Sequence, residues 1–230
     1  MPTPGSQAAE TIRTVYPALL GSYGPQGWWP VTGRRGSKPR YTGGPRNPRQ
    51  RFEVAAGAVL TQNTAWTNAA RAVTALSREG LLDPAALARA PQERIARLIR
   101  SSGYYNQKAR RLMELAAWFA AGPDPDRGQL LRLNGIGPET ADSILLYGFN
   151  LPYFVVDAYT RRIFTRLGAL EGSEPYERIR ALFESTLEPD PAVYNEYHAL
   201  IVEHAKRRCA RRPVCGGCPL DRWCISNDYY

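Results

Sequence analysis

Cysteine is scarce in this 230-residue chain: there are four, all within the last 22 positions, at Cys209, Cys215, Cys218 and Cys224. A small secreted domain held by disulfides spreads its cysteines across the fold, so this crowding excludes that class. It points to metal ligation in a reducing compartment. Long apolar runs are missing too. None approaches the roughly 18 residues that span a bilayer, so no membrane partner is expected. The first twenty residues, MPTPGSQAAETIRTVYPALL, carry no basic segment followed by a continuous apolar one. The expectation is therefore a cytoplasmic protein, nucleoid-associated if bacterial. Acid is in short supply: 21 Asp and Glu face 30 Lys and Arg, a formal net charge of +9. This balance favours a polyanionic partner, nucleic acid first, over a merely soluble basic protein. With 43% hydrophobic and 22% charged residues the chain has enough apolar material for a core, and wholesale disorder is excluded.

Three zones differ in composition. Ile12, Val15, Leu19 and Leu20 recur at helical spacing, predicting a short amphipathic helix before Gly21. From Gly24 to Arg51 there are six Gly, five Pro and seven Lys or Arg, with no acid. That is loop chemistry of strong positive potential, and the adjacent Trp28 and Trp29 argue that part of it packs on something. Phe52 to about Leu167 reads as nearly continuous helix, rich in Ala, Leu, Arg and Glu. Breaks are predicted at Gly80, Pro84, Gly103, Gly122–Gly128, Gly135–Gly137 and Asn150–Pro152. Further helices are predicted around Tyr176–Leu187 and Ala192–Lys206, ahead of the cysteine loop. The fold class is all-α.

Two segments carry chemistry. In LNGIGPETADSILL, Gly135 and Gly137 flank Ile136 in a tight turn, and Pro138 suits the first position of the next helix. With a short helix over Asp126–Leu133, the parse is helix, hairpin, helix. Such a turn aims backbone N–H groups at a phosphate, although an ordinary αα-hairpin has the same letters. In PYFVVDAYTRRIFTRLG, Asp157 follows an apolar pair and opens a helix bearing Arg161, so at the least it caps that helix.

Taken in order, AGAVLTQNTAW, GYYNQKA, LNGIGPETA, VVDAYTRR and the cysteine loop resemble the helix-hairpin-helix DNA glycosylases. The likeness is to the endonuclease III group with its C-terminal iron–sulfur cluster, and it spans about residues 28–224. The resemblance implies a two-lobed fold, a six-helix barrel lobe plus an iron–sulfur cluster lobe. The corresponding boundaries are residues 1–52 joining the cluster lobe, 53–156 for the six-helix lobe, and 157–230 for the last helices and the cluster loop. It implies that Asp157 is the catalytic aspartate and that Gln62, followed by Asn63, enters the gap left by an extruded nucleotide. Tyr104 would wedge the opposite strand, and Gly135, Ile136 and Gly137 would hold backbone phosphate, with Arg161 nearby on the DNA side. The partner is then double-stranded DNA containing damaged bases, met by a monomer.

The cysteine spacing, Cys209-x5-Cys215-x2-Cys218-x5-Cys224, is one residue shorter in its first gap than is usual in these relatives. Four thiolates in one loop suit a [4Fe–4S] cluster, with structural zinc as the competitor. The other departure is Glu139, where bifunctional members carry the lysine that forms a Schiff base. A carboxylate cannot form that imine. Glu139 is either a favourable acid in a first helical turn or a second carboxylate beside Asp157. Hydrolysis of the N-glycosidic bond remains, and it is easiest for a cationic, alkylated purine such as 3-methyladenine. Trp28 and Trp29, in a W-W-P element that resembles the 3-methyladenine branch, would offer a stacking slot, or else they simply pack. Lys206 is either a surface phosphate contact or a buried partner of the pocket. Two other readings stay open: an oxidised-pyrimidine glycosylase with lyase action, and a non-catalytic damage-binding protein of the same fold.

Overall fold

The computed structural model describes residues 4–122 and 124–226. Among these are eleven α-helices and no strand beyond one isolated antiparallel bridge, Val31 to Arg40. Several helix starts repeat one device, an Asx side chain accepting an orphan amide of the first turn. Asn47 takes the Gln50 amide before Pro48, and Asp83 takes that of Ala86 before Pro84. Asp126, Asp157 and Asp190 do the same for Gln129, Thr160 and Ala192. The breaks predicted at Gly80, Gly103, Gly135–Gly137 and Asn150–Pro152 fall between helices, and Pro84 opens a helix. The Gly122–Gly128 break ends inside the helix that starts at Arg127, with Pro123 lying outside the described residues. The first helix runs further than expected. Gly21 is tolerated inside it, and the chain turns at Gly24, whose φ of +68° suits glycine.

The chain divides into two compact units, Met1–Gln26 with Pro152–Tyr230, and Gly27–Leu151. The first holds α1 (Pro4–Tyr23), α9 (Ala158–Arg166), α10 (Tyr176–Thr186) and α11 (Pro191–Arg207). Its core joins Ile12, Val15 and Leu19 of α1 to an aromatic cluster of Phe154, Phe164, Phe183, Tyr194 and Tyr197. Phe154 stacks on Phe183 at 4.2 Å between ring centroids, and the buried Tyr197 hydroxyl donates to the Ile12 carbonyl at 2.7 Å.

The second unit wraps α2 (Pro48–Thr61), buried from Phe52 to Leu60, with α3 (Trp66–Arg78), α4 (Pro84–Arg89), α5 (Gln92–Leu98), α6 (Tyr105–Ala120), α7 (Arg127–Arg132) and α8 (Pro138–Ser143). α8 runs on into a wider π turn over Ile144–Gly148.

The all-α expectation holds, but its iron–sulfur lobe does not. Among the described residues, no group of three or more His, Cys, Asp or Glu side chains is arranged to hold a metal ion. The unit that carries the cysteines is consolidated by its aromatic core.

Candidate DNA-binding and catalytic site

In the first unit the site centres on Asp157. Its backbone is extended, as an N-cap requires, and Oδ1 accepts both the Thr160 amide (2.7 Å) and the Thr160 hydroxyl (3.0 Å). Oδ2 lies 3.6 Å from Nε2 of His198, which α11 presents. The Asp157 side chain is 14% exposed, so the carboxylate is neither sealed in nor fully solvated. Burial opposes its ionisation. The His198 imidazole and the two Thr160 donors outweigh that and hold its pKa below the ordinary 3.8. His198 was not singled out from the sequence. The only signal was that it is one of two histidines in the chain, on a helix otherwise read for its apolar spacing.

The arginines of α9 are spent locally. Arg161 donates to the Glu174 carbonyl at 2.6 Å, and Arg162 donates to the Cys209 carbonyl at 2.9 Å. Arg166 reaches the Cys209 sulfur and the carbonyls of Ala210 and Arg211. Lys206 is exposed, which removes the buried-partner reading.

The cysteine loop corrects the expectation of a [4Fe–4S] cofactor. All four thiols line one cavity of about 240 Å³, with Ile163, Leu167 and Leu220 among its other walls. Three of the sulfurs face protein groups there: Cys209 the Arg166 guanidinium at 3.1 Å, Cys224 the Arg166 carbonyl at 3.5 Å, and Cys218 the His204 imidazole at 3.9 Å. Burial pushes the Cys218 and Cys224 thiols above their usual pKa. Among the described residues these side chains are not arranged to hold a metal ion, and Cys209, Cys215, Cys218 and Cys224 are given no metal-binding role.

In the second unit, the hairpin joins α7 to α8. Gly135 has φ +74°, which favours glycine, and a Cβ there would also displace the Arg111 guanidinium. Ile136 is buried and anchors the turn, while Gly137 is exposed and caps α8. Arg127 pairs with the fully buried Asp142 at 2.6 and 3.1 Å, tying the two helices together. Glu139 is exposed in the first turn of α8.

Gln62 ends α2 and is bonded to this hairpin. Its Nε2 donates to the Gly135 carbonyl and to the Thr140 hydroxyl, both at 2.9 Å, and its Oε1 accepts from Arg111 at 2.9 Å. Asn63 follows, exposed, at φ +53°. Tyr104 stands 67% exposed at φ +45°, directly after Gly103 at φ +68°. The side chain that braces both segments is Lys108, which lies in the G-Y-Y-N-Q-K-A motif but has no role assigned from the sequence. Its buried Nζ donates to the carbonyls of Leu60 (2.8 Å), Gln62 (2.9 Å) and Ser102 (2.7 Å). Burial, then the neighbouring Arg111, lowers its pKa to about 8.

The two indoles have separate fates. Trp29 is buried, edge-on to Trp66 at 5.4 Å and against Tyr147 at 5.0 Å. It crosses α2 so closely at Gly57 that a Cβ there would sit 3.2 Å from its Nε1. Trp28 is half-buried beside Tyr41 and Tyr147, at 6.3 and 6.0 Å.

An all-α fold with a helix-hairpin-helix, a capping aspartate held ionised and an exposed Tyr104 fits a class of DNA-repair proteins. The family model of the HhH-GPD superfamily base excision DNA repair proteins matches residues 56–189, and the chain belongs to that superfamily. It is 40% identical, over 94% of its length and 97% of the other's, to the MJ1434 protein of Methanocaldococcus jannaschii, assigned by name to the DNA repair glycosylases. It is 34% identical to endonuclease III of Thermotoga maritima, over 78% of this chain and 86% of that protein. Among solved structures, an endonuclease III–DNA complex superposes with a TM-score of 0.78 at 22% identity, covering 99% of this chain and 98% of that one. A Helicobacter pylori 3-methyladenine DNA glycosylase bound to 1,N6-ethenoadenine gives 0.68 at 26% identity, covering 87% and 97%. The expected placement nearest the 3-methyladenine branch is thereby corrected, since endonuclease III matches the fold more fully. The chain is a base-excision-repair glycosylase that binds DNA and hydrolyses the N-glycosidic bond of damaged bases. Among the described residues no helix is long and apolar enough to cross a membrane.

Proposed function

We propose that Asp157 carries the chemistry, that water completes it without a covalent enzyme–sugar intermediate, and that the lesions are the oxidised pyrimidines of endonuclease III. The observation that carries the first part is the Asp157 carboxylate, partly exposed and kept ionised by Thr160 and His198. A carboxylate held below its ordinary pKa is a weak base and a good fixed charge. Its main contribution is therefore to stabilise the cationic sugar that forms as the C1′–N bond breaks and its electron pair leaves with the base. Water then adds to C1′, and the proton it gives up ends on the departed base, which left with the electron pair. Position 139 supplies an exposed carboxylate and no amine, so the imine route to strand cleavage is closed there. The run of endonuclease III relatives supports the lesion class.

A second reading, alkylated purines, is favoured by one observation. Trp28 keeps a half-exposed indole flanked by Tyr41 and Tyr147, an electron-rich surface suited to a cationic base. The test is a panel of duplexes carrying thymine glycol, dihydrouracil, 3-methyladenine or 7-methylguanine, each read with and without alkali. Release of the pyrimidines with alkali-dependent breaks supports the proposal. Release of the methylated purines alone selects the second reading. Breaks without alkali, together with a borohydride-trapped adduct, overturn the water route.

A further inference from the structure

We infer that the loop from Gly33 to Arg40 is a second, preformed binding site for the DNA phosphate backbone, separate from the helix-hairpin-helix. The loop is closed at its base by reciprocal backbone bonds, Val31 N–H to the Arg40 carbonyl at 3.0 Å and Arg40 N–H to the Val31 carbonyl at 2.9 Å. Its tip is a turn in which Ser37 donates from both its amide and its hydroxyl to the Arg34 carbonyl, at 3.0 and 2.9 Å. Its back is docked on α3: the Gly36 amide donates to the Ser77 hydroxyl at 2.8 Å, and Arg35 Nε donates to the Arg78 carbonyl at 3.2 Å.

Its root is fastened more firmly still. The Thr32 amide and hydroxyl donate to the two oxygens of Glu53, at 2.6 and 2.7 Å. Gln50 and Arg49 of the same helix bond to the Thr32 carbonyl and hydroxyl. Glu53 is 1% exposed, so this acid is spent on the scaffold and its charge is not presented outward.

What the loop presents is therefore of one sign. Arg34, Lys38 and Arg40 are exposed, and with Gly33 and Ser37 they line a concavity of about 560 Å³ with no acid in its wall. Among the described residues none of the three is in an ion pair. Solvated arginines on a slack loop would swing apart, but here bonds at the base, tip, back and root fix the frame from which they project. Three exposed cations lining one concavity on a fixed frame are complementary to an anion. Phosphodiester is the anion a DNA glycosylase meets.

This rests only on the chain binding DNA, not on which base it removes. The test is binding of an undamaged 20-base-pair duplex, followed by fluorescence anisotropy across a KCl series. The variants are R34Q/K38Q/R40Q, the charge-keeping R34K/R40K, and R13Q/R89Q/R97Q, which removes three exposed charges elsewhere. The first should flatten the slope of log affinity against log salt by about 2–3, one for each phosphate no longer neutralised. The other two should leave the slope near that of the native protein. An unchanged slope in R34Q/K38Q/R40Q, or an equal loss in R13Q/R89Q/R97Q, overturns the proposal, the latter by reducing it to net charge. Melting temperatures close to native in all three exclude misfolding as the cause. Failure of the native protein on every lesion, with the slope difference intact, would sink the proposed lesion class and leave this site standing.

Discussion

The mouth of α9 in one unit and the seam between α2 and α6 in the other each hold a shielded charge, but the two charges are used differently. Asp157 has one oxygen committed to Thr160 and the other beside His198, with 14% of the side chain open to solvent. Lys108 is 1% exposed, and its ammonium donates to three carbonyls. A group with capacity left over and a path to solvent can meet a substrate. A group whose donors are all taken can only hold its neighbours in place. Burial alone does not tell a group free to act on a substrate from one that only braces the fold; the remaining hydrogen-bonding capacity does.

The sharpest way to break this contrast is Asp157→Asn. Asparagine caps helices as well as aspartate, so α9 should keep its start and the stability should move by only a few tenths of a kcal/mol. The negative charge is gone, and base release in single-turnover assays should fall on the order of 10³-fold. Retained activity would reduce Asp157 to a cap. Lys108→Met should show the reverse pattern. It leaves three buried carbonyls without their donor, which costs roughly 3 kcal/mol or more in urea unfolding. The pH dependence has a defined sign. Because the folded pKa is about 8 against 10.5 for the free side chain, the native state loses this proton first. The stability difference between the native protein and the variant should therefore widen between those two pH values. A difference that stays flat would mean the ammonium is not confined as described.

The two groups also differ in how far they could be read in the sequence. Asp157 announces itself locally, because an Asx residue after an apolar pair and before A-Y-T is a cap whatever surrounds it. Helix boundaries at Gly80 and Pro84 are legible for the same reason, as contacts within four residues, whereas α2 starts at Pro48, inside the Gly24–Arg51 stretch read as loop. The parts that were not legible depend on distant partners. His198 meets Asp157 across 41 residues of chain, Lys108 reaches back 48 to Leu60, and Glu53 reaches back 21 to Thr32. Nothing in W-W says which indole is buried; that is set by the close passage of Trp29 over Gly57. The cysteine spacing does not fix where the sulfurs point, because Arg166 bonds the Cys209 sulfur and the carbonyls of Ala210 and Arg211 and so ties that loop to α9.

A smaller effect is expected from His198→Gln. Removing the imidazole takes away a group that holds the Asp157 pKa down, while the burial that raises it remains. The acid limb of activity should move to higher pH. Stability should follow: the part contributed by a depressed carboxyl pKa is present above the unfolded value and lost as pH falls through the folded one. In the variant less of it is there to lose. An unmoved acid limb in a pH–rate profile would show that Thr160 alone keeps the carboxylate ionised.

The smallest effect tests whether capping by itself has anything to do with function. Asp83 starts α4 as Asp157 starts α9, with a side-chain oxygen accepting the Ala86 amide at 2.8 Å and a proline at the first helical position. It differs in being exposed and in having no imidazole beside it. Asp83→Ala should cost about 1 kcal/mol of stability, the usual worth of such a cap, and base release should proceed at the native rate. Urea unfolding and single-turnover kinetics on the same preparation give both numbers. If Asp83→Ala also slowed the chemistry in proportion to its loss of stability, the fall in Asp157→Asn could be blamed on a weakened helix start. If it does not, the same bond in the same local geometry is structural at one helix and catalytic at the other, and His198 with the opening to solvent accounts for the difference.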